Sequence, residues 1–226
     1  MNTLTSTLAI TVASIQTPPH EGDFDQMVGI GLVELIEFEP GQFVGRMASR
    51  TLSADEGQDI LLAWLADHLP AHVRAIGWGL TDDIVPRLLA AADEAPSNIA
   101  ADVIDALAST LSIDAVDLAD EPVHVLDDDL ASACANNLVP CIAMSPGGLL
   151  GEWAVGHVAP IAEMLLTNAV ASWRLWAQRA AADPDIADEI GSELLWRMQV
   201  RLADGDASNI DLHVSVSRQA ETPNGR

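Results

Sequence analysis

The chain has 226 residues, 49% of them apolar, and a net charge of −24 in which all ten basic residues are Arg. This length and apolar content exclude a disordered chain and predict one domain with a sizeable core. The charge works against a nucleic-acid-binding face, because affinity for phosphate backbones rests on cationic contacts. It suits a high-GC genome or saline cytoplasm, a basic protein partner, or a surface that mimics nucleic acid.

In chain order, three strand-like runs come first: Leu8 to Gln16, Met27 to Phe38 and Gln42 to Arg50. Glu39-Pro40-Gly41 supplies turn chemistry between the second and third. Ser53-Ala54-Asp55-Glu56 has the form of a capping box opening a helix, with a stripe of Ile60, Leu61, Trp64, Leu65 and Leu69. A buried strand is predicted over His72 to Trp78, and helices over Asp82 to Ala92 and Ile99 to Leu111. The Asp-rich stretch Ser112 to Val125 reads as loop, and the pattern from Asp128 to about Leu202 is almost wholly helical. The domain is expected to span 1–205. The extension 206–226 carries one alternating run, Ile210 to Val216, that suits an edge strand before a disordered end. Periodicity alone supports an α/β fold with a mixed sheet.

No apolar run approaches the roughly 18 residues a membrane span needs, and Met1 to Thr7 lacks the basic residues of a signal peptide. Cys134 and Cys141 have neither metal spacing nor the look of a disulfide framework, and read as reduced core residues of a cytoplasmic protein. Zinc-site spacing, a nucleophile elbow and a Gly-rich phosphate loop are all absent from the sequence.

One stretch carries a more specific signal. Ala13-Ser14-Ile15-Gln16-Thr17-Pro18-Pro19 follows the first apolar run. It resembles the first motif of the DEDD 3′-5′ exonucleases, apolar-Asp-x-Glu-Thr-x-Pro, in the group similar to the exonuclease domain of family B DNA polymerases. Ser14 stands at the position of the motif's Asp and Gln16 at that of its Glu. Gly77-Trp78-Gly79-Leu80-Thr81-Asp82-Asp83-Ile84-Val85-Pro86-Arg87-Leu88 fits the frame of the second motif, with Asp83 on the metal-ligand Asp. Asp102-Val103-Ile104-Asp105-Ala106-Leu107, the run from Asp129 to Pro140, and Pro146-Gly147-Gly148 follow in the family's order. In Ala159-Pro160-Ile161-Ala162-Glu163-Met164-Leu165-Leu166-Thr167 the Thr lies four residues after an acid, as in the third motif. That acid is Glu163 rather than Asp, and Ala159 replaces the Tyr. His157 matches neither subgroup's base and reads as a helix-terminal or interface histidine.

The resemblance covers about Leu8 to Arg179. It implies a ribonuclease H-like sheet, three antiparallel strands then parallel ones, flanked by helices and followed by a helical C-terminal half. It also implies nucleic acid as partner and Mg²⁺ or Mn²⁺ as cofactor. A two-metal site needs clustered carboxylates, and a hydroxyl and an amide are poor ligands for a hard cation. Of the four positions only Asp83 and Glu163 keep a carboxylate, enough for one weakly held cation or for none. Asp23 and Asp25, in the acidic loop after the first motif, are further acids that such a site could recruit. The expectation is a degenerate exonuclease-like protein, inactive or impaired, acting as a binding or regulatory module. Its alternatives are a working metal-dependent 3′-5′ exonuclease on DNA or RNA, and an acidic inhibitor or nucleic-acid mimic that contacts protein. Trp173 and Trp176, with Trp196 beyond them, are expected in core packing or a self-association surface that would make a homo-oligomer.

Overall fold

The computed structural model describes residues 6–16, 25–39, 42–120 and 127–180. Apolar runs, buried on both faces of the sheet in the first two, build three long strands, β1 (Ser6–Gln16), β2 (Asp25–Glu39) and β3 (Gln42–Thr51), joined as an antiparallel meander. Helix α1 (Gln58–His68) leads to β4 (Arg74–Gly77), which pairs parallel with β1 through Thr7–Arg74 and Ala9–Ile76. A single π-helical turn (Leu80–Ile84), α2 (Val85–Glu94) and α3 (Ser97–Thr110) connect to β5 (Asp114–Asp117), parallel to β4. The sheet order is β3-β2-β1-β4-β5, mixed in direction. Three more helices follow: α4 (Leu130–Asn136), α5 (Pro146–Ala154) and α6 (Val158–Ala180).

Strand alternation sends successive side chains to opposite faces, and the two faces of this sheet differ. Leu8, Ile10, Met27, Ile30 and Leu32 pack with Leu61, Leu62 and Leu65 of α1, Leu88 of α2, and Val103 and Leu107 of α3. On the other face, Ala9, Val33, Leu35 and Ile76 meet Ala169, Val170 and Trp173 of α6. Nearer the carboxyl end of β1, Ala13, Ile15 and Val28 meet Ile161, Met164 and Leu165 of α6 and Leu149 of α5. Helix α6 lies close because β2 presents Gly31 there: a Cβ on Gly31 would stand 2.9 Å from the Leu165 backbone and 2.8 Å from Thr11 Oγ1. Two side-chain hydrogen bonds tie the helix to β1. Thr11 Oγ1 donates to the Leu165 carbonyl at 2.8 Å, and Trp173 Nε1 donates to Thr7 Oγ1 at 3.1 Å.

Several sequence expectations are corrected. The first helix begins at Gln58, not at the Ser53 capping box, whose Glu56 carboxylate accepts from Ser53 N and Oγ within the preceding turn, both at 2.9 Å. Its buried stripe uses Leu62 in place of Ile60, which is exposed. The stretch read as loop contains β5, whose two carboxylates both find partners: Asp114 accepts from Arg74 Nε at 2.9 Å across the strand pair. The helical C-terminal pattern is interrupted between α4 and α5, and again at Gly156, where φ is +77°. Trp173 is buried in the core as expected, and the Arg74 guanidinium lies 5.6 Å from the centre of the Trp176 ring. The Pro40-Gly41 turn, the Gln16 side chain, Asp23, the Asp25 side chain, Trp196, the helical pattern beyond Ala180 and the extension 206–226 lie outside the described residues.

Candidate functional site

The carboxyl ends of parallel strands, where loops leave an α/β sheet, are the usual location of a site in such folds. Here that end is organised by Asp117, the last residue of β5. Its Oδ1 accepts from Gly79 N (2.9 Å) and Ala119 N (3.0 Å), and its Oδ2 from Thr81 N (2.7 Å) and Thr81 Oγ1 (3.0 Å). Four donors fill the roughly four lone-pair positions of a carboxylate. Asp117 is 8% exposed and holds the loop between β4 and the π-turn in place. The loop turns sharply at Gly79, where φ is +67°, a conformation glycine adopts without strain. Asp83 N and Ile84 N both donate to the Gly79 carbonyl, at 2.9 and 2.8 Å, the second bond spanning five residues and defining the π geometry.

That turn presents Asp83 at its exposed surface, while Leu80 and Ile84 point inward. Asp83 Oδ1 accepts from Arg87 Nε at 2.5 Å, an i,i+4 ion pair running from the turn into α2. Partial burial, and then the neighbouring Asp117 charge, raise the Asp83 carboxyl above its ordinary range. Asp82 beside it is exposed.

Ser14 is half-buried near the end of β1, directly opposite Met27 of β2. A cross-strand pair shares a face, so Ser14 lies on the α1–α3 side, where Met27 packs. Glu163 belongs to α6, on the other side of the sheet, and is half-exposed. Asp83 and Ser14 thus belong to the same end of the sheet, and the sheet separates Ser14 from Glu163. Of the β1 positions that face α6, Thr7 accepts from Trp173, Thr11 donates to the Leu165 carbonyl, and Ala9, Ala13 and Ile15 pack against the helix. His157 stands just before α6, exposed, its Nδ1 3.2 Å from Glu152 Oε2.

The remaining family-like segments serve local structure. Asp102 and Asp105 are on the exposed side of α3. Asp129 caps α4 by accepting from Ser132 N at 2.7 Å, and Ser145 caps α5 by accepting from Gly148 N at 3.1 Å. Among the described residues no three His, Cys, Asp or Glu side chains come together so as to hold a metal ion. An Asp83 tied to Arg87, a saturated Asp117 and a Glu163 across the sheet do not fit a two-cation centre.

Sequence reasoning missed Asp117. Its partners lie 36 and 38 positions earlier, so only the pairing of β4 with β5 reveals its role. The one local signal was an Asp closing a short alternating run, Asp114-Ala115-Val116-Asp117.

No protein-family model matches the chain, and no curated protein is significantly similar to it. Among the described residues no helix is long and apolar enough to cross a membrane.

Proposed function

We propose that this chain is a ribonuclease H-like, degenerate relative of the DEDD 3′-5′ exonucleases that lacks two-metal chemistry and acts as a binding or regulatory module. The sheet order β3-β2-β1-β4-β5, with an antiparallel meander followed by two parallel strands, supports the fold part of this reading. One observation carries the functional part. The α6-facing side of β1 is Thr7, Ala9, Thr11, Ala13 and Ile15, built into helix packing, while Asp83 pairs with Arg87. A carboxylate pair for two cations has no place on that strand face.

A binding role fits the charge better with protein than with nucleic acid. Asp67, Asp93, Glu94, Asp102 and Asp105 are all exposed on α1, α2 and α3, in a chain with no Lys. A basic protein partner would gain from that surface, and a phosphate backbone would be repelled.

The deciding experiment incubates the purified protein with end-labelled single-stranded DNA and RNA in Mg²⁺ or Mn²⁺. Neither strand should shorten above background. Metal-dependent 3′ trimming that disappears in Asp83→Ala would overturn the reading and establish a working exonuclease with an unusual site.

A further inference from the structure

Helix α4 and the connection that follows it carry two sulfurs that the exonuclease-like reading does not use. Cys134 lies in the last turns of α4, wholly buried among Ala133, Val139, Val170 and Trp173. Cys141 is half-buried and packs against the same cluster. Backbone hydrogen bonds hold the chain between them in a compact reversal. Val139 N donates to the Cys134 carbonyl at 2.9 Å, and Asn137 N to the Ala133 carbonyl at 3.1 Å. The reversal passes through Leu138 at φ +54°, a left-handed conformation uncommon for a bulky side chain. The far side is pinned as firmly: Ile142 N donates to Asn168 Oδ1 at 3.0 Å, and Asn168 Nδ2 donates to the Ile142 carbonyl at 3.1 Å. Cys141 is therefore held by α6 on one side and Cys134 by α4 on the other.

We propose that Cys134 and Cys141 form a peroxide-responsive dithiol, with Cys141 the attacking sulfur and Cys134 the resolving one, closing to an intramolecular disulfide. Their environments divide the roles. The Cys134 thiol acts as hydrogen-bonding neighbour to the Cys141 sulfur, which brings Cys141 down to about 7. The same interaction, then burial, pushes Cys134 up; the Arg174 guanidinium of α6 opposes this and the Asp129 carboxylate at the start of α4 adds to it. Near neutral pH the more exposed sulfur is the one with substantial thiolate, the form that reacts.

The chemistry balances with hydrogen peroxide as the oxidant. The Cys141 thiolate attacks one peroxide oxygen, an S–O bond forms, the O–O bond breaks, and the departing hydroxide takes a proton to become water. Cys134 then attacks the Cys141 sulfenic acid. An S–S bond forms, the S–O bond breaks, and hydroxide leaves and captures the Cys134 proton as a second water. Two thiols are oxidised by two electrons and one peroxide is reduced to two waters. Once Cys141 is a sulfenic acid it no longer carries the negative charge that disfavours a Cys134 thiolate, so the second step is eased by the first.

The test treats the folded full-length protein with hydrogen peroxide and measures denatured thiol content, intact mass and a non-reducing gel. The expected result is two titratable thiols falling to none, loss of two hydrogens in mass, a monomeric band, and a linked Cys134–Cys141 peptide that reductant separates. Two surviving thiols, oxygen adducts alone or a covalent dimer would each overturn the proposal. Alkylation of the untreated protein should label Cys141 first, with a rate that rises through a midpoint near about 7. In Cys141→Ser, Cys134 should stay unlabelled under conditions that modify Cys141 fully in the parent. Equal labelling of Cys134 would reverse the assigned roles, and the mass measurement on the parent decides the matter should that variant fail to fold.

Discussion

The two faces of the central sheet achieve burial by different means. Toward α1–α3 the strands offer large aliphatic side chains, such as Leu8, Ile10 and Leu32, that meet Leu61, Leu62 and Leu65 through area. Toward α6, beside Val33, Leu35 and Ile15, they offer Gly29, Gly31, Ala9, Ala13 and Thr11, so at Gly31 the helix backbone itself approaches and two directional hydrogen bonds tie it to β1. Packing by area tolerates exchange of one apolar shape for another. Packing by close approach does not, because at Gly31 the atoms in the way include the Leu165 backbone.

Gly31→Val should separate the faces most strongly. Its first added carbon would fall within 3 Å of the Leu165 backbone, so a loss at or above the usual overpacking range, about 3 kcal/mol, is expected in a urea titration. A loss below about 1 kcal/mol would mean α6 is free to move away, and the contrast would collapse. On the opposite face, Leu65→Met changes shape within a fully buried site and should cost less than about 1.5 kcal/mol by the same titration. Thr11→Val keeps the shape and removes the bond to the Leu165 carbonyl, for an expected loss of about 1 kcal/mol. Thermal melts that show no difference would assign the fit of α6 to shape alone.

Asp129→Ala lies outside both faces and gives a baseline, since losing a cap costs about 0.5–1 kcal/mol in a host helix. Hydrogen bonds from the Ser132 backbone hold the Asp129 carboxyl below its ordinary 3.8. The folded protein therefore binds this proton less readily than the unfolded one. The stabilisation is complete above pH 3.8 and fades as pH falls through the lower folded value. The gap between parent and variant should narrow below pH 4 in melts across that range; a gap that widens in acid would contradict the capping role.

The meander was legible almost to the residue because its near-continuous apolar runs are divided by the turn chemistry of Glu39-Pro40-Gly41. Strand β5 was not, because Asp114 and Asp117 count against a strand until Arg74 and the Gly79–Thr81 amides are known to stand beside them. The capping box misled for a related reason: its bonds form within a turn and the helix waits for Gln58. At the candidate site, motif spacing singled out Asp83, which stands in the turn that follows the carboxyl end of β4. It could not assign Ser14 and Glu163 to sides, because that depends on which face β2 clears with Gly29 and Gly31 for α6. The single helical reading of the C-terminal stretch passed over Pro140 and Gly156, which mark its interruptions, while the left-handed turn at Leu138 is announced by no local preference.

The bond between Thr11 and Leu165 joins residues 154 positions apart, and that between Thr7 and Trp173 joins residues 166 apart. During synthesis at about 5–20 residues per second, the face of the meander that α6 covers waits roughly 8–30 seconds for its helix. A nascent chain in that interval offers neighbouring chains an open apolar surface and free strand edges. The emerging chain is already acidic, with six Asp or Glu against two Arg through Thr51, and that excess repels like chains during the wait. The acidity that shapes the finished surface thus already acts on the unfinished one, before α6 has left the ribosome.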